Sequence, residues 1–394
     1  MNHTADHQDW IDRLDTLTKQ GLRRRLHRVD SAQGSNVTRD GRVMCCFSSN
    51  NYLGLANHPH VVEAVREAVN RWGWGAGASR LITGHMGPHE QLEQRLAAFK
   101  GTQAAVVCST GYQANLAAIR SLAGEGDVVM IDKLNHASIV DAARGCGAVL
   151  RVFAHRDYRK LERLLAGAGE YRRRIIVTDS LFSMDGDFAD LPRLVELKHK
   201  YDAMLCIDEA HATGVFGEHG RGLAEHQGVE HEVDVTVGTL SKALGGIGGF
   251  VAGPAAIIEW IINTAGAFIY TTALPPAACA AAMAAMDIVE REPERRRRLL
   301  GTAERLRHEL AEVRGLNIGG STSQIVPLIV GDAATAVALA DALIADGLLV
   351  LPIRPPTVPR GSARLRISLC SDHTTADLDR LIAALDEHCP RQGK

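Results

Sequence analysis

Between residues 104 and 253, short apolar runs alternate with stretches whose apolar residues recur every three or four positions. Ala104–Cys108, Asp127–Ile131, Ala203–Ile207 and Val233–Val237 are runs of strand length bounded by glycine or polar residues. Apolar strands separated by helical segments predict an α/β fold, a mostly parallel sheet covered by helices. Upstream, 8–26 reads as an amphipathic helix with Trp10, Leu14, Leu17 and Leu22 near one face. His60–Trp72 reads as a second helix, opened by Pro59, with Val61, Val65, Val69 and Trp72 at helical spacing. Gly73-Trp-Gly-Ala-Gly77 breaks that pattern, and Glu90–Phe99 resumes it. The alanine-rich stretch 273–289 holds two prolines. It is too short and too weakly apolar to span a membrane, so a buried helix is expected.

After Glu292-Pro-Glu-Arg-Arg-Arg-Arg298, whose arginines read as a solvated helix face, strands (Gln324–Val330, Arg364–Leu369) alternate with helices (Ala333–Asp346, Thr375–His388). The expected organisation is an N-terminal segment over 1–48, a large domain over 49–288 and a small C-terminal α/β domain over 289–394. A chain of 394 residues buries a core large enough for this.

Composition narrows the function classes. A net charge of −2 offers no electrostatic case for nucleic acid or an anionic membrane. The eight cysteines form no C-x-x-C and several lie in apolar runs, as buried thiols of a reducing compartment do. There are seventeen histidines but no H-E-x-x-H, and His58-Pro-His60 opens a helix, so no metal is expected. The N-terminus is charged every few residues without an apolar core, unlike a secretory signal, and its acids argue against a transit peptide. A cytoplasmic location is the expectation.

The chemistry concentrates at strand ends. Lys242, one of only eight lysines, lies in Gly238-Thr-Leu-Ser-Lys-Ala-Leu-Gly-Gly-Ile-Gly-Gly249, just after the Val233–Val237 run and with no acid between Asp234 and Glu259. Partial burial disfavours such an ammonium and frees the amine as a nucleophile. An imine-forming lysine and a flexible surface-loop lysine both fit this segment alone. Asp208 ends the Ala203–Ile207 run and leads into Glu-Ala-His211. A buried Asp there needs a cation or strong donors, and the protonated ring nitrogen of pyridoxal phosphate (PLP) is such a cation. A helix cap or an arginine partner would also satisfy it. His211 is placed to reach the hydroxyl beside the imine. Ser109-Thr-Gly-Tyr112 turns from a strand into a helix start, which presents N–H groups and a positive dipole end to an anion. Thr239 adds a hydroxyl. No Walker loop and no strand-borne Gly-x-Gly-x-x-Gly is present, which disfavours a nucleotide.

These residues carry a family likeness. With Phe47-Ser-Ser-Asn-Asn-Tyr-Leu-Gly-Leu55, Ser109-Thr-Gly-Tyr112, Asn135-His-Ala-Ser138, Phe182-Ser-Met-Asp-Gly186, Asp208-Glu-Ala-His211, Thr239-Leu-Ser-Lys242 and Ile353-Arg-Pro-Pro-Thr-Val-Pro359 in order, the chain resembles the α-oxoamine synthases. They belong to the PLP-dependent transferases of fold type I. The likeness runs from about Leu22 to the C-terminal region.

The resemblance implies that Lys242 holds PLP as an imine and moves the substrate α-proton, while Asp208 pairs with the ring nitrogen. It implies that His136 stacks on the cofactor and contacts substrate, and that His211 and Ser183 bond near the ring oxygen. Gly111, Tyr112 and Thr239 would hold the phosphate. Thr271 and Thr272 would complete that site in the neighbouring subunit of a homodimer. Arg23, Asn50, Arg354, Thr357 and Arg366 would meet the substrates. The segment Ile353–Pro359 favours the branch that condenses L-alanine with a pimeloyl thioester, pimeloyl-CoA or pimeloyl-acyl carrier protein. Sister synthases using other amino acids, PLP aminotransferases and a non-catalytic PLP-binding module are the alternatives. Two departures stand out: Asp179 where Glu is frequent, and Ala212 where Gly is frequent. Arg364 and Arg366 alternate on a strand and so share one face.

Overall fold

The structure, a computed structural model, describes residues 4–389. Two compact units emerge, one of residues 1–49 with 301–394 and one of 50–300. Residue 288, where the sequence suggested a change of domain, lies inside the helix Pro276–Arg291.

In chain order, β1 (Asn36–Arg39) and β2 (Arg42–Cys46) form an antiparallel hairpin. The second unit is built on a seven-stranded sheet. Its strands are β3 (Ala104–Cys108), β4 (Val128–Asp132), β5 (Val149–Phe153), β6 (Arg174–Asp179), β7 (Met204–Asp208), β8 (Val235–Thr239) and β9 (Gly249–Gly253). They lie in the order β3-β9-β8-β7-β6-β4-β5. Only β9 runs against its neighbours; β4 through β8 pair in parallel. The mostly parallel sheet is thus as expected; β3 matches its apolar run, while β4, β7 and β8 end one or two residues later than theirs. β4, β8 and β9 are buried along their whole length, because helices cover both faces. Val129, Ile131, Val177, Cys206, Val237 and Val251 pack against Ala114, Ala117, Ala118, Ile139 and Phe268 of those helices.

In the other unit, β10 (Ile325–Gly331), β12 (Pro352–Ile353) and β13 (Ala363–Ser368) form a sheet in the order β10-β13-β12, while β11 (Leu348–Leu349) joins β2 in parallel. Helices Ala333–Ala345 and Thr375–His388 accompany them.

Two further expectations need correction. The first helix spans Thr4–Lys19 and stops short of Leu22, because the chain turns at Gly21 with φ of 66°. Its Trp10, Leu14 and Leu17 are exposed. In the helix Pro293–His308, Arg296 is not a solvated charge: it is buried, and its guanidinium donates to the carbonyls of Val289 and Glu218. All eight cysteines are free thiols and six are buried. No helix among the described residues is long and apolar enough to cross a membrane.

Candidate active site

Strands β6, β7 and β8 finish together, and their register decides which side chains meet. Asp179, last in β6, pairs with Asp208, last in β7; Asp208 pairs in turn with Val237 of β8. Thr239 closes β8, and Lys242 follows in the turn beyond it. Across from these ends, the helix Gly111–Leu122 starts directly after β3. The elements enclose a cavity of about 230 Å³ whose walls include Gly111, Tyr112, Asn115, His136, Asp179, Asp208, His211, Thr239 and Lys242.

Asp208 anchors one end. It is buried, Asn115 Nδ2 donates to its Oδ2 at 2.6 Å, and the Ala210 N–H donates to its Oδ1 at 2.7 Å. The same Asn115 amide reaches Ser138 Oγ at 2.9 Å. Both carboxylate oxygens thus receive an N–H donor, which fixes the orientation of the group. Asn115 arises from the helix start by simple spacing, since it stands one turn after Gly111 on the face turned toward the sheet.

Lys242 forms the wall beside it. Its Nζ lies 3.0 Å from His211 Nε2. His211 Nδ1 is 2.7 Å from the Tyr52 hydroxyl, which itself donates to Asn50 Oδ1 at 3.1 Å. A hydroxyl that gives its proton to Asn50 accepts from Nδ1–H. That bond fixes the ring tautomer and turns the Nε2 lone pair toward Lys242.

His136 caps the helix Ala137–Arg144. Its backbone N–H donates to Asp179 Oδ2 at 2.7 Å, and its Nδ1 bonds Ser138 Oγ at 2.7 Å. Desolvation in the cleft lowers the ring's pKa below the usual histidine value; Asp208 opposes this and Lys242 adds to it. Asp179, by contrast, is pushed well above the ordinary carboxylate range by burial and then by the Asp208 charge.

The opposite end is built for an anion. Thr110 caps the helix by accepting from the Gln113 N–H at 3.1 Å, so the first-turn amides near Gly111 face the cavity with the helix's positive end. A Cβ on Gly111 would come within 3.3 Å of Thr239 Oγ1, and one on Gly249 within 2.6 Å of the Gly111 nitrogen. A side chain at Gly249 would clash with that backbone, while one at Gly111 would make Thr239 give by a few tenths of an ångström. The Thr239 hydroxyl donates to the Gly248 carbonyl and lies 2.8 Å from Ser241 Oγ. A carboxylate awaiting a cation, a lysine within reach of a histidine and a helix start fit the three polar parts of PLP, its ring nitrogen, aldehyde and phosphate.

The remaining expected residues fall elsewhere. Tyr112 touches the cavity, yet its phenol donates to Asp141, which raises the phenol's pKa. Ser183 lies in the turn after Phe182 and is not part of the cavity wall. Thr271 and Thr272 also stay off this wall: Gln113 Nε2 donates to Thr271 Oγ1 at 3.4 Å, and Ser109 Oγ to the Thr272 carbonyl at 3.1 Å. Within the other unit, a cavity of about 250 Å³ is bounded by Leu22, Arg24, Pro352, Ile353, Arg354, Pro355 and Thr357. Arg24 donates to Thr357 Oγ1 at 3.3 Å, while Arg23 turns back to Thr18, so the structure puts Arg24 where the sequence suggested Arg23. Arg366 is buried and donates to Ser368 Oγ at 2.8 Å. Sequence reasoning did not single out Asn115, Tyr52 or Arg24. A lone amide in the apolar run Ala114-Asn-Leu-Ala-Ala118 was the available signal for the first.

The sequence profile of the family described as aminotransferase class I and II matches residues 43–385. The 8-amino-7-oxononanoate synthase of Geobacter sulfurreducens is 50% identical over 378 residues, which cover 94% of this chain and 95% of that protein. Among solved structures, the serine palmitoyltransferase of Sphingomonas wittichii superposes with a TM-score of 0.92 at 33% identity, covering 98% of both chains. The S. paucimobilis serine palmitoyltransferase with PLP and myriocin bound reaches the same TM-score at 32% identity and the same coverage.

Proposed function

We infer the function of this chain from its kinship and its cavity together: it belongs to the aminotransferase class I and II family, and it acts as an 8-amino-7-oxononanoate synthase. It is a PLP-dependent acyltransferase that joins L-alanine to a pimeloyl thioester and releases CO2 and the free thiol. The observation that carries this reading is identity of 50% across nearly the full length of a synthase of that name. The serine palmitoyltransferases share the fold at lower identity, so sequence kinship, and not shape, selects the substrate pair.

PLP, when bound, supplies an electron-withdrawing ring that makes the amino acid's α-carbon nucleophilic. The rest is the work of this chain's side chains. Lys242 Nζ would hold the group covalently and, once the substrate amine has displaced it, would be free to take and return the α-proton, with the His211 Nε2 lone pair beside it to stabilise its protonated state. Asp208, fixed by Asn115 and Ala210, would hold the proton on the ring nitrogen. His136, whose ring pKa the cleft lowers, lines the cavity and would donate a hydrogen bond to the oxygen that gains charge. The helix start at Gly111 would bind the phosphate, and Thr239 would join it by turning its hydroxyl away from the Gly248 carbonyl.

Arg24, Arg354 and Thr357 are assigned to the acyl donor, CoA or acyl carrier protein, since two guanidinium groups share one cavity wall with no acid among its residues. A homodimer is assigned as well. Exposed Trp74, Ile82 and Tyr270 flank the bridge between Ser79 and Thr272 and would be covered by a second copy, whose Thr271 and Thr272 would complete the phosphate site. The cytoplasm is the proposed compartment.

The decisive assay loads purified protein with PLP and follows its visible absorbance on adding L-alanine, then thiol and CO2 release on adding pimeloyl-CoA or pimeloyl-acyl carrier protein. A spectral change with alanine followed by thiol release supports the assignment. A protein that answers only to glycine or serine is a sister synthase, and one that takes up no PLP overturns the reading of Lys242.

A further inference from the structure

At the carboxyl edge of the large sheet, two acids stand side by side, and among the described residues no cation forms a salt bridge with either. Register pairs Asp179 with Asp208, and only 3% and 5% of their surfaces remain exposed. Neighbouring strands lie about 4.8 Å apart, so two anions here would repel strongly in a water-poor setting. The charged and titratable groups around Asp179 are Asp208, Lys242, Asp132 and the residue His136. Three neutral N–H groups serve the two carboxyls, and they are divided unequally. Asp208 accepts on both oxygens, from Asn115 at 2.6 Å and Ala210 at 2.7 Å, as suits an anion. Asp179 accepts on Oδ2 alone from a backbone N–H, that of His136 at 2.7 Å. The Asp179 backbone is pinned in turn, its N–H donating to Asn135 Oδ1 at 3.1 Å while Asn135 Nδ2 donates to the Val177 carbonyl. Asn135 and His136 therefore both hang from the end of β6.

We propose that Asp179 stands as a neutral carboxylic acid, a positioning residue that fixes His136 through its backbone N–H and leaves Asp208 as the single anion opposite the cofactor's ring nitrogen. Two like charges on adjacent strands cannot both ionise, and the acid with fewer donors keeps the proton. The second anion would compete with Asp208 for the ring proton and weaken its directional pairing. As a neutral acid, Asp179 keeps an acceptor oxygen for His136 without adding charge to the cavity. The half of this proposal that concerns Asp208 and the ring rests on the function given above; the half that concerns the Asp179 proton rests on the chain alone.

The two halves are tested separately. Infrared difference spectra of the cofactor-free protein, wild type minus Asp179→Asn, are expected to show the carbonyl stretch of a protonated carboxyl at neutral pH. Absence of that band from the difference overturns the proposal whatever the enzyme's reaction proves to be. In the PLP-loaded enzyme, Asp179→Ala is expected to lower kcat about tenfold or more with KM nearly unmoved, because a buried N–H loses its acceptor. Asp179→Asn, which supplies an oxygen without a charge, is expected to recover most of that loss and to keep the pH–rate profile in place. An Asn variant as slow as the Ala variant, with a displaced profile, would mean that Asp179 works as an anion and would overturn the assignment.

Discussion

Asp208 and Glu209 are neighbours in sequence, both are buried, and the protein treats them in opposite ways. Glu209 receives a cation from the chain: Lys100 Nζ lies 2.7 Å from its Oε2, with Thr213 Oγ1 at 2.9 Å, the Arg221 carbonyl close by and the Phe250 ring 5.7 Å away. The Ala224 N–H binds the other oxygen of Glu209 at 2.9 Å. Asp208 receives amide donors and a second acid, Asp179. One acid is closed by its own fold and fastens the Arg221–Ala224 segment to the end of β7. The other is left short of a cation, in a cavity that a cationic ring fits. Buried charge that the chain completes is architecture, and buried charge left incomplete marks a site.

Breaking the incomplete acid should affect catalysis most. Asp208→Asn is expected to lower turnover on the order of 100-fold to 1,000-fold, the loss of a desolvated ion pair with the ring. The cofactor-free variant should melt no lower than wild type, since it no longer buries a charge without a counter-ion; a fall of several degrees would show that Asp208 also holds the fold. Lys100→Met should do the reverse. Glu209 would be stranded without a counter-charge at a cost of about 3–5 kcal/mol in unfolding free energy. Denaturant titration of Lys100→Met beside the Lys100→Met, Glu209→Gln pair checks this: the double variant should recover most of the loss, and equal loss in both would remove the ion pair from the explanation.

The sequence made one side of this comparison legible and hid the other. Lys242, Asp208, Thr239, His136 and Gly111 follow strand ends or open helices, and the structure gathers them round one cavity because parallel strands share a carboxyl edge. The alternation of runs gave the sheet for the same reason. Lys100 was hidden, since its partner lies 109 residues away and nothing local distinguishes it from a helix-end lysine. Strand register was hidden too, and with it the pairing of Asp179 with Asp208. Arg23 and Arg24 differ by one step in a non-helical segment, so periodicity could not choose between them. Arg296 was misjudged because four consecutive arginines suggest solvent, while a helix turns one position in every few toward the core.

A third acid cluster tests the comparison by pH. His155 is half-enclosed between Asp132, 3.1 Å from its Nδ1, and Asp187, 2.9 Å from its Nε2, and so completes two acids at once. Burial pulls its pKa down, but the bonds and charges of the two carboxylates outweigh this and lift it to about 9 from 6.5. A raised folded-state pKa means stabilisation that is full below the unfolded value and fades as pH climbs through the folded one. Melting temperature should therefore decline between roughly pH 6.5 and 9, by no more than about 3 kcal/mol in free energy. His155→Gln should flatten that slope, and an unchanged slope would assign it to another group.

The smallest effect belongs to the anion end of the cavity, where the helix start is the completing group in place of a cation. Thr110 accepts from the Gln113 N–H and leaves the amides nearer Gly111 to a guest. Thr110→Ala removes one cap, and a typical cap is worth about 1 kcal/mol. Stability should fall by that amount. PLP affinity should fall by a few-fold as the first turn loses its fixed direction, while the pH–rate profile stays in place because no titrating group has moved. Equilibrium dialysis of PLP against both proteins measures the affinity. Equal affinity would mean that Thr239 and the Gly111 backbone hold the phosphate without help from the helix cap.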